Sequence, residues 1–325
     1  MPHSILRAAA VILLALLCAH APAHAQDYPS RTVRIVIPFP PGGTSDILAR
    51  SLGQKLTEEW GQQVIAENRP GAAGNIASEF VAKSKPDGYT LYINTVGTHA
   101  INPAIYPNLP FDPVRDFTMI TNLVNLPSLL IVHPSVPAAS AQELIALAKQ
   151  RPGALQYSSA GSGSQPHLTA EMFKTMAGID LLHVPYKGAG PQLIALISGE
   201  VMLTFATAPA AVPLIKNNQA RAIAVTSAER VAALPDVPTL NEAALPGYVA
   251  VGWNGLVGPA AIPAPVVAKI HAAVAKIYRQ PEMRDRLISL AAEPAISTPE
   301  EFTALVKSEI GKWSRAVKDS GAKLD

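Results

Sequence analysis

Ile35-Val-Ile-Pro-Phe-Pro-Pro-Gly-Gly-Thr-Ser-Asp46 reads as the end of a strand, a tight turn and the start of a helix. Val33–Pro38 is apolar apart from Arg34, the pattern of a mostly buried strand. Ile47, Leu48, Leu52 and Leu56 then recur at helical spacing, with Lys55, Glu58 and Glu59 on other faces. A strand-to-helix turn of this kind leaves backbone N–H groups at the positive end of a helix dipole, where an anion is favoured. Pro40 and Pro41 carry no N–H, so the donors are those of Gly42, Gly43, Thr44 and Ser45. Asp46 falls in the first helical turn, where it complements the dipole and caps the turn. Taken alone, the loop reads equally well as a plain turn with no ligand.

Outward from this stretch, strand and helix signals alternate. Val64–Ala66 is a short strand, Asn75 opens a helix, and Tyr89–Asn94 is a third strand after the Pro86-Asp-Gly88 turn. This βαβαβ order predicts a parallel sheet with right-handed crossovers. A small, polar loop follows Asn94, then a Pro-rich passage. Thr118–Leu126 and Leu129–Val132 read as two β-like runs around Pro127, and the chain is expected to cross into a second domain here. That domain repeats the alternation up to about Thr226, and Val249–Gly258 crosses back. Three C-terminal helices, beginning at Pro265, Met283 and Pro299, are expected to pack on the first domain. The expected division is a leader over 1–25, a first lobe over 27–125 and 252–325, and a second lobe over 126–251. Two α/β lobes joined by two crossovers enclose a cleft, and ligands of such sheets lie at the carboxyl ends of strands.

A second Gly/Ser loop strengthens the anion reading. Ser159-Ala-Gly-Ser-Gly-Ser164 joins a strand to a helix in the other lobe. It offers the Ser158, Ser159, Ser162 and Ser164 hydroxyls and the N–H groups of Ala160, Gly161, Ser162, Gly163 and Ser164. Two helix N-termini gripping one carboxylate would need no buried lysine or arginine. Nucleotide binding is disfavoured, because no G-x-x-x-x-G-K-[ST] occurs and Pro166 stands where G-x-G-x-x-G needs its third glycine. No G-x-S-x-G or H-E-x-x-H occurs in the mature chain, and its histidines are widely separated, so neither a serine hydrolase nor a metal site is expected. His99, His167 and His183 are read as structural hydrogen-bonding residues, and no catalytic residue and no cofactor is expected. Tyr186-Lys-Gly188 has two readings, a ring and charge at the cleft edge or a half-buried tyrosine beside a solvated lysine. Trp253 is read as packing.

The N-terminus reads as an export signal. Arg7 precedes an apolar run over Ala8–Ala19, and Ala23-His-Ala25 has the form of a cleavage site. Leu17 is bulky where a lipid-attachment motif at Cys18 needs a small residue. Cys18 is the chain's one cysteine, so the mature protein has no thiol chemistry and no disulfide. Removing 25 of 325 residues leaves 300, with 25 basic against 24 acidic side chains once Arg7 is gone. That balance, without a basic stripe, argues against nucleic-acid or membrane-surface binding.

The whole mature chain resembles the tripartite tricarboxylate transporter substrate-binding receptors, the Bug family of periplasmic binding proteins. The resemblance rests on Tyr28-Pro-Ser-Arg31 with Ile35–Asp46, Glu67-Asn-Arg-Pro-Gly-Ala-Ala-Gly-Asn75, and Pro86-Asp-Gly-Tyr-Thr-Leu91. It continues through Ser159–Ser164, His183-Val-Pro-Tyr-Lys-Gly188 and Leu234-Pro-Asp-Val-Pro-Thr239. It implies an α/β, two-lobed Venus-flytrap fold, each lobe a mostly parallel sheet flanked by helices. It implies ligand contacts from Phe39, Pro41, Gly42, Gly43, Thr44 and Ser45 on one side and Ser159 to Ser164 on the other. Asn94, Thr98, Tyr186, Ala206 and Thr207 would complete the pocket. The expected function is a monomeric periplasmic receptor that captures a small carboxylate and hands it to a large and a small inner-membrane subunit. The ligand classes implied are di- or tricarboxylates, acidic amino acids and aromatic acids. A sensory receptor and a carboxylate-acting enzyme are the alternatives, and the missing acid, base and nucleophile argue against the enzyme.

Overall fold

A 16-residue strand, Phe117–Val132, runs through the middle of the molecule and organises both of its halves. The computed structural model describes residues 28–289 and 292–320, so the expected leader lies outside the described residues. In chain order the first half contains β1 (Val33–Ile37), α1 (Thr44–Trp60), β2 (Val64–Asn68), α2 (Asn75–Ala82) and β3 (Thr90–Thr95). A π-helical turn (Gly97–Ile101) leads into the short α3 (Asn102–Ile105), and the long central strand is β4. The second half holds α4 (Ala141–Gln150), β5 (Gln156–Ser159), α5 (Gln165–Ala177), β6 (Leu182–Pro185) and α6 (Ala189–Ile197). It continues with β7 (Leu203–Thr207), α7 (Ala208–Lys216), β8 (Arg221–Val225) and α8 (Leu240–Ala243). The chain returns through β9 (Val251–Pro259) and ends with α9 (Ala264–Tyr278), α10 (Pro281–Ser289), β10 (Glu293–Pro294) and α11 (Pro299–Ser320).

The strand order is β2-β1-β3-β9-β4-β7-β5-β6, with β8 and β10 also on β4. β1, β2 and β3 are parallel, as the βαβαβ pattern requires, and β9 lies antiparallel between β3 and β4. β3 and β4 therefore run the same way. β4 pairs with β9 up to Pro127, then with β7 and β8 from Ser128 and Leu129 onward. Both of those are antiparallel to it, and β5 and β6 are parallel to β7. The directions have a simple outcome. β1, β2 and β3 point their carboxyl ends toward the second half, and β5, β6 and β7 point theirs back toward the first. The loops that leave these strands face one another across the ribbon of β4 and β9.

Two expectations change in detail. The runs on either side of Pro127 are one strand, not two. Proline lacks a ladder donor, and it is tolerated here because Pro127 sits where β4 changes partners, from Val251 to the Thr207 side. The last helix is also not confined to the first half. Its Phe302, Val306, Trp313 and Val317 share one core with Tyr92 and Ile101 from the first half and with Leu168 and Phe173 of α5 from the second. A separate cluster of Ile35, Ile37, Leu48, Leu52, Leu56, Leu256 and Ile270 seals α1 and α9 onto the first sheet face.

Candidate ligand site between the opposed strand ends

The first loop is fixed from within. Asp46 is buried, and its Oδ2 accepts the Gly42 N–H (3.0 Å) while its Oδ1 accepts from Arg50 Nε (3.0 Å) and Asn68 Nδ2 (2.9 Å). Burial pushes the Asp46 carboxyl up, but the hydrogen bonds from Arg50, Gly42 and Asn68 outweigh it and hold the group below the usual carboxylate range. Asp46 therefore braces the turn ahead of the helix instead of capping it, since the N-cap Gly43 has no side-chain cap bond, and one expected donor is lost because the Gly42 N–H is occupied. α1 has its first intrahelical bond from Ile47 N–H to Gly43 O (3.0 Å). The N–H groups of Thr44 and Ser45 precede that bond and point off the helix start. Phe39 and Pro41 are exposed on the same loop.

The second loop is fixed in the same manner. Gly161 N–H donates to Ser159 Oγ (3.2 Å), Gly163 N–H to His167 Nδ1 (2.9 Å) and Ser164 N–H to Gly161 O (3.1 Å). The N–H groups of Ala160 and Ser162 have no partner among the described residues. Gly163 has φ +73°, and a Cβ there would stand 2.6 Å from Ile105 Cδ1, so the turn needs glycine. α5 starts at Gln165, and its first internal bond runs from Leu168 N–H to Ser164 O (3.0 Å).

Both helix starts meet one strand. Asn254 Nδ2 on β9 donates to Ser45 Oγ (2.8 Å). A Cβ at Gly252 would stand 2.8 Å from Gln165 Oε1. Residues 252 and 254 share a face because side chains alternate along a strand, and they are about 7 Å apart. Thr95, the register partner of Asn254, lies on that face too. Ser164 Oγ and Gln165 Nε2 are buried there without a hydrogen-bond partner among the described residues. The two helix starts, one from each half, thus meet one side of β9, and among the described residues no lysine or arginine takes part in these contacts. Asn254, Gln165 and Thr95 were not singled out from the sequence. No local signal marks them, because their role depends on a contact 209 residues apart in the chain.

The other expected residues divide. Ala206 and Thr207 end β7 beside this region, at the same carboxyl edge as Ser159. The Tyr186 hydroxyl donates to Glu200 Oε1 (2.7 Å), and burial and Glu200 push it up to about 12, so its ring is the part left for a ligand. Thr98 is fully buried and spent locally, accepting from Thr95 N–H (3.0 Å) and bonding His99 Nδ1 (3.1 Å). Asn94 is not brought to the common face. It pairs in register with Gly255, where a Cβ would meet Asn94 Oδ1 at 2.8 Å and Phe302 Cζ at 2.1 Å, so it faces α11 beside Trp253. His99 is fully buried, and burial lowers its imidazole to about 3, so it stays neutral. No cluster of His, Cys, Asp or Glu among the described residues could hold a metal ion, and none of their helices is long and apolar enough to cross a membrane. Three surface cavities, of about 820, 440 and 460 Å³, lie elsewhere. The first of these sits at the amino ends of β1 and β3, around Arg34 and Thr90.

Residues 48–322 match the profile of the tripartite tricarboxylate transporter family receptors. The chain belongs to this family. Among the receptor's relatives, BugT of Bordetella pertussis (strain Tohama I) is 32% identical over 94% of either chain. R. palustris Rpa4515, solved with adipate, is 39% identical, with a TM-score of 0.83 over 92% of this chain and 100% of that one. MatC of Rhodopseudomonas palustris, solved with bound malate, is 34% identical, with a TM-score of 0.76 over 89% of this chain and 100% of that one. The protein is a tripartite tricarboxylate transporter receptor with the two-lobed periplasmic-binding-protein fold, and its solved neighbours are binding proteins.

Proposed function

We propose that this receptor captures a small dicarboxylate between its lobes and delivers it to a large and a small inner-membrane transporter subunit. The observation that carries this reading is the convergence of two helix N-termini, from two halves, on one face of β9 without a cationic side chain. Fixed N–H dipoles of that kind suit a carboxylate and cost no desolvation of a buried charge. The ligand contacts are Phe39, Pro41, Gly43, Thr44 and Ser45 on one side and Ser159 to Ser164 on the other, with Tyr186, Ala206 and Thr207 at the rim. Gly42 and Thr98 act from behind, by shaping the first loop, and Asn94 lies against α11. The lobes are 27–125 with 252–325, and 126–251. They close as a hinge at Leu126–Ser128 and Ala250–Gly252, where β4 changes partners. The adipate and malate held by two relatives support a dicarboxylate over a tricarboxylate or an aromatic acid. The protein acts as a monomer without catalysis, in the periplasm, after loss of residues 1–25.

A thermal-shift series with adipate, malate, citrate and a neutral sugar tests this. A ligand at about 100 times its Kd adds about 2.7 kcal/mol to the native state, so one of the acids should raise the melting temperature by several degrees. A shift with the sugar alone would overturn the carboxylate reading.

A further inference from the structure

Two histidines lie directly beneath the second loop, and the site as described does not use them. His167 on α5 and His183 on β6 stack face to face, with ring centroids 4.0 Å apart and planes inclined by 4°. Tyr157 of β5 also stacks against His183, with ring centroids 4.8 Å apart, and lies 6.4 Å from the His167 ring. Each imidazole reaches the loop above. His167 Nδ1 accepts the Gly163 N–H at 2.9 Å. His183 Nε2 bonds Ser159 Oγ at 2.6 Å, and that hydroxyl oxygen accepts the Gly161 N–H at 3.2 Å. Alternate N–H groups of the loop, those of Gly161 and Gly163, are thereby turned inward, and those of Ala160 and Ser162 are left over.

We infer that His167 and His183 are positioning residues for the Ser159–Ser164 loop, which keeps its ligand-holding shape only while His167 Nδ1 is unprotonated. The inference rests on the reading of that loop as half of the carboxylate site. A backbone N–H can only donate, so His167 Nδ1 is an acceptor and the ring proton sits on Nε2. That Nε2 faces the Glu171 carboxylate at 3.9 Å. A doubly protonated imidazole has no acceptor, and Gly163 N–H would then confront another N–H. Charged and titratable groups beside the pair include Glu171 and Lys174 from the same helix as His167 and Tyr157 from β5. Glu171 Oε1 accepts from Tyr157 Oη (2.5 Å) and Lys174 Nζ (3.0 Å), which spreads its charge over several partners. At ring contact the two histidines oppose each other's protonation, so the stack admits one charge at most. When that charge falls on His167, Gly163 N–H loses its acceptor and the loop loosens.

The test uses the mature protein and two independent readouts. In the ligand-free protein, the Gly163 amide and His167 ring resonances are followed from pH about 8 to 5, the range in which imidazoles change charge. They should move with a common midpoint in the wild type, and Gly163 should not move in His167→Asn, whose Oδ1 offers an acceptor that does not titrate. Adipate binding is then measured by calorimetry. Wild-type affinity should fall about tenfold with acid, the worth of one acceptor lost to a buried N–H. His167→Asn should lose only the affinity that protonation of adipate itself removes, and His167→Phe, which keeps a ring without the acceptor, should bind weakly throughout. A Gly163 amide indifferent to pH in the wild type, or tight binding by a folded His167→Phe, overturns the inference. If Gly163 follows His167 while adipate affinity follows neither, the anchoring stands and the loop is not the carboxylate site. If adipate does not bind at all, the ligand-free resonances decide alone.

Discussion

Gly43 is the residue at which function and stability separate most cleanly. Its φ of −81° suits any residue, and a Cβ there meets nothing within 4 Å. Gly43→Leu should leave the melting temperature of the free protein within about 2 °C, because no contact or backbone strain changes. The added side chain would fill the approach to the Thr44 and Ser45 N–H groups, so calorimetry should show affinity for the acid found by thermal shift lowered by at least about tenfold. Gly161, with φ +127°, is the poorer probe, since any side chain there strains the backbone as well. His99 tests the opposite property. Its folded pKa, near 3, lies below the unfolded value of about 6.5, so the unfolded chain takes up the proton first. The stability it contributes is full above the unfolded value and is lost as pH falls toward the folded one. Denaturant titrations of wild type and His99→Phe should therefore diverge between pH about 6.5 and 3, the wild type losing up to about 1.4 kcal/mol more per pH unit.

Among the elements, α11 bears the closest approach. Phe302 stands where a Cβ on Gly255 would be, at 2.1 Å, and Trp313 is fully buried with its Nε1 donating to Glu309 Oε2 (2.8 Å). Gly255→Ala should cost about 1–3 kcal/mol by forcing α11 off the sheet, read as a lower melting temperature. The order and type of the long elements were legible in the sequence, because apolar spacing of two or of three to four residues is set by burial on one face. β4 was read as two strands because Pro127 is a strong local breaker, and a local rule cannot see a change of ladder partner. The loops at Gly42–Ser45 and Ser159–Ser164 were legible from their glycines, serines and prolines. The occupation of the Gly42, Gly161, Gly163 and Ser164 N–H groups was not, because each is set by the exact fold of its own turn. The side of β3 that Asn94 takes was not legible for a related reason: strand alternation gives parity but not which parity faces the cleft.

At the scale of the whole molecule, opposed carboxyl ends follow from one antiparallel insertion. β9 lies between β3 and β4, and each of those strands meets it only after the chain has passed through the entire second half. That order of strands has a consequence for how the protein is made. Until residues 251–259 leave the ribosome, β3 and β4 have no shared neighbour, and neither Ser45 nor Gln165 has its strand to rest on. A chain ending at Ala250 should show no cooperative thermal transition and no near-ultraviolet dichroism, although it contains most of both halves. Long-range pairing of this kind folds slowly. The unfinished polypeptide therefore stays open until its last central strand is synthesised.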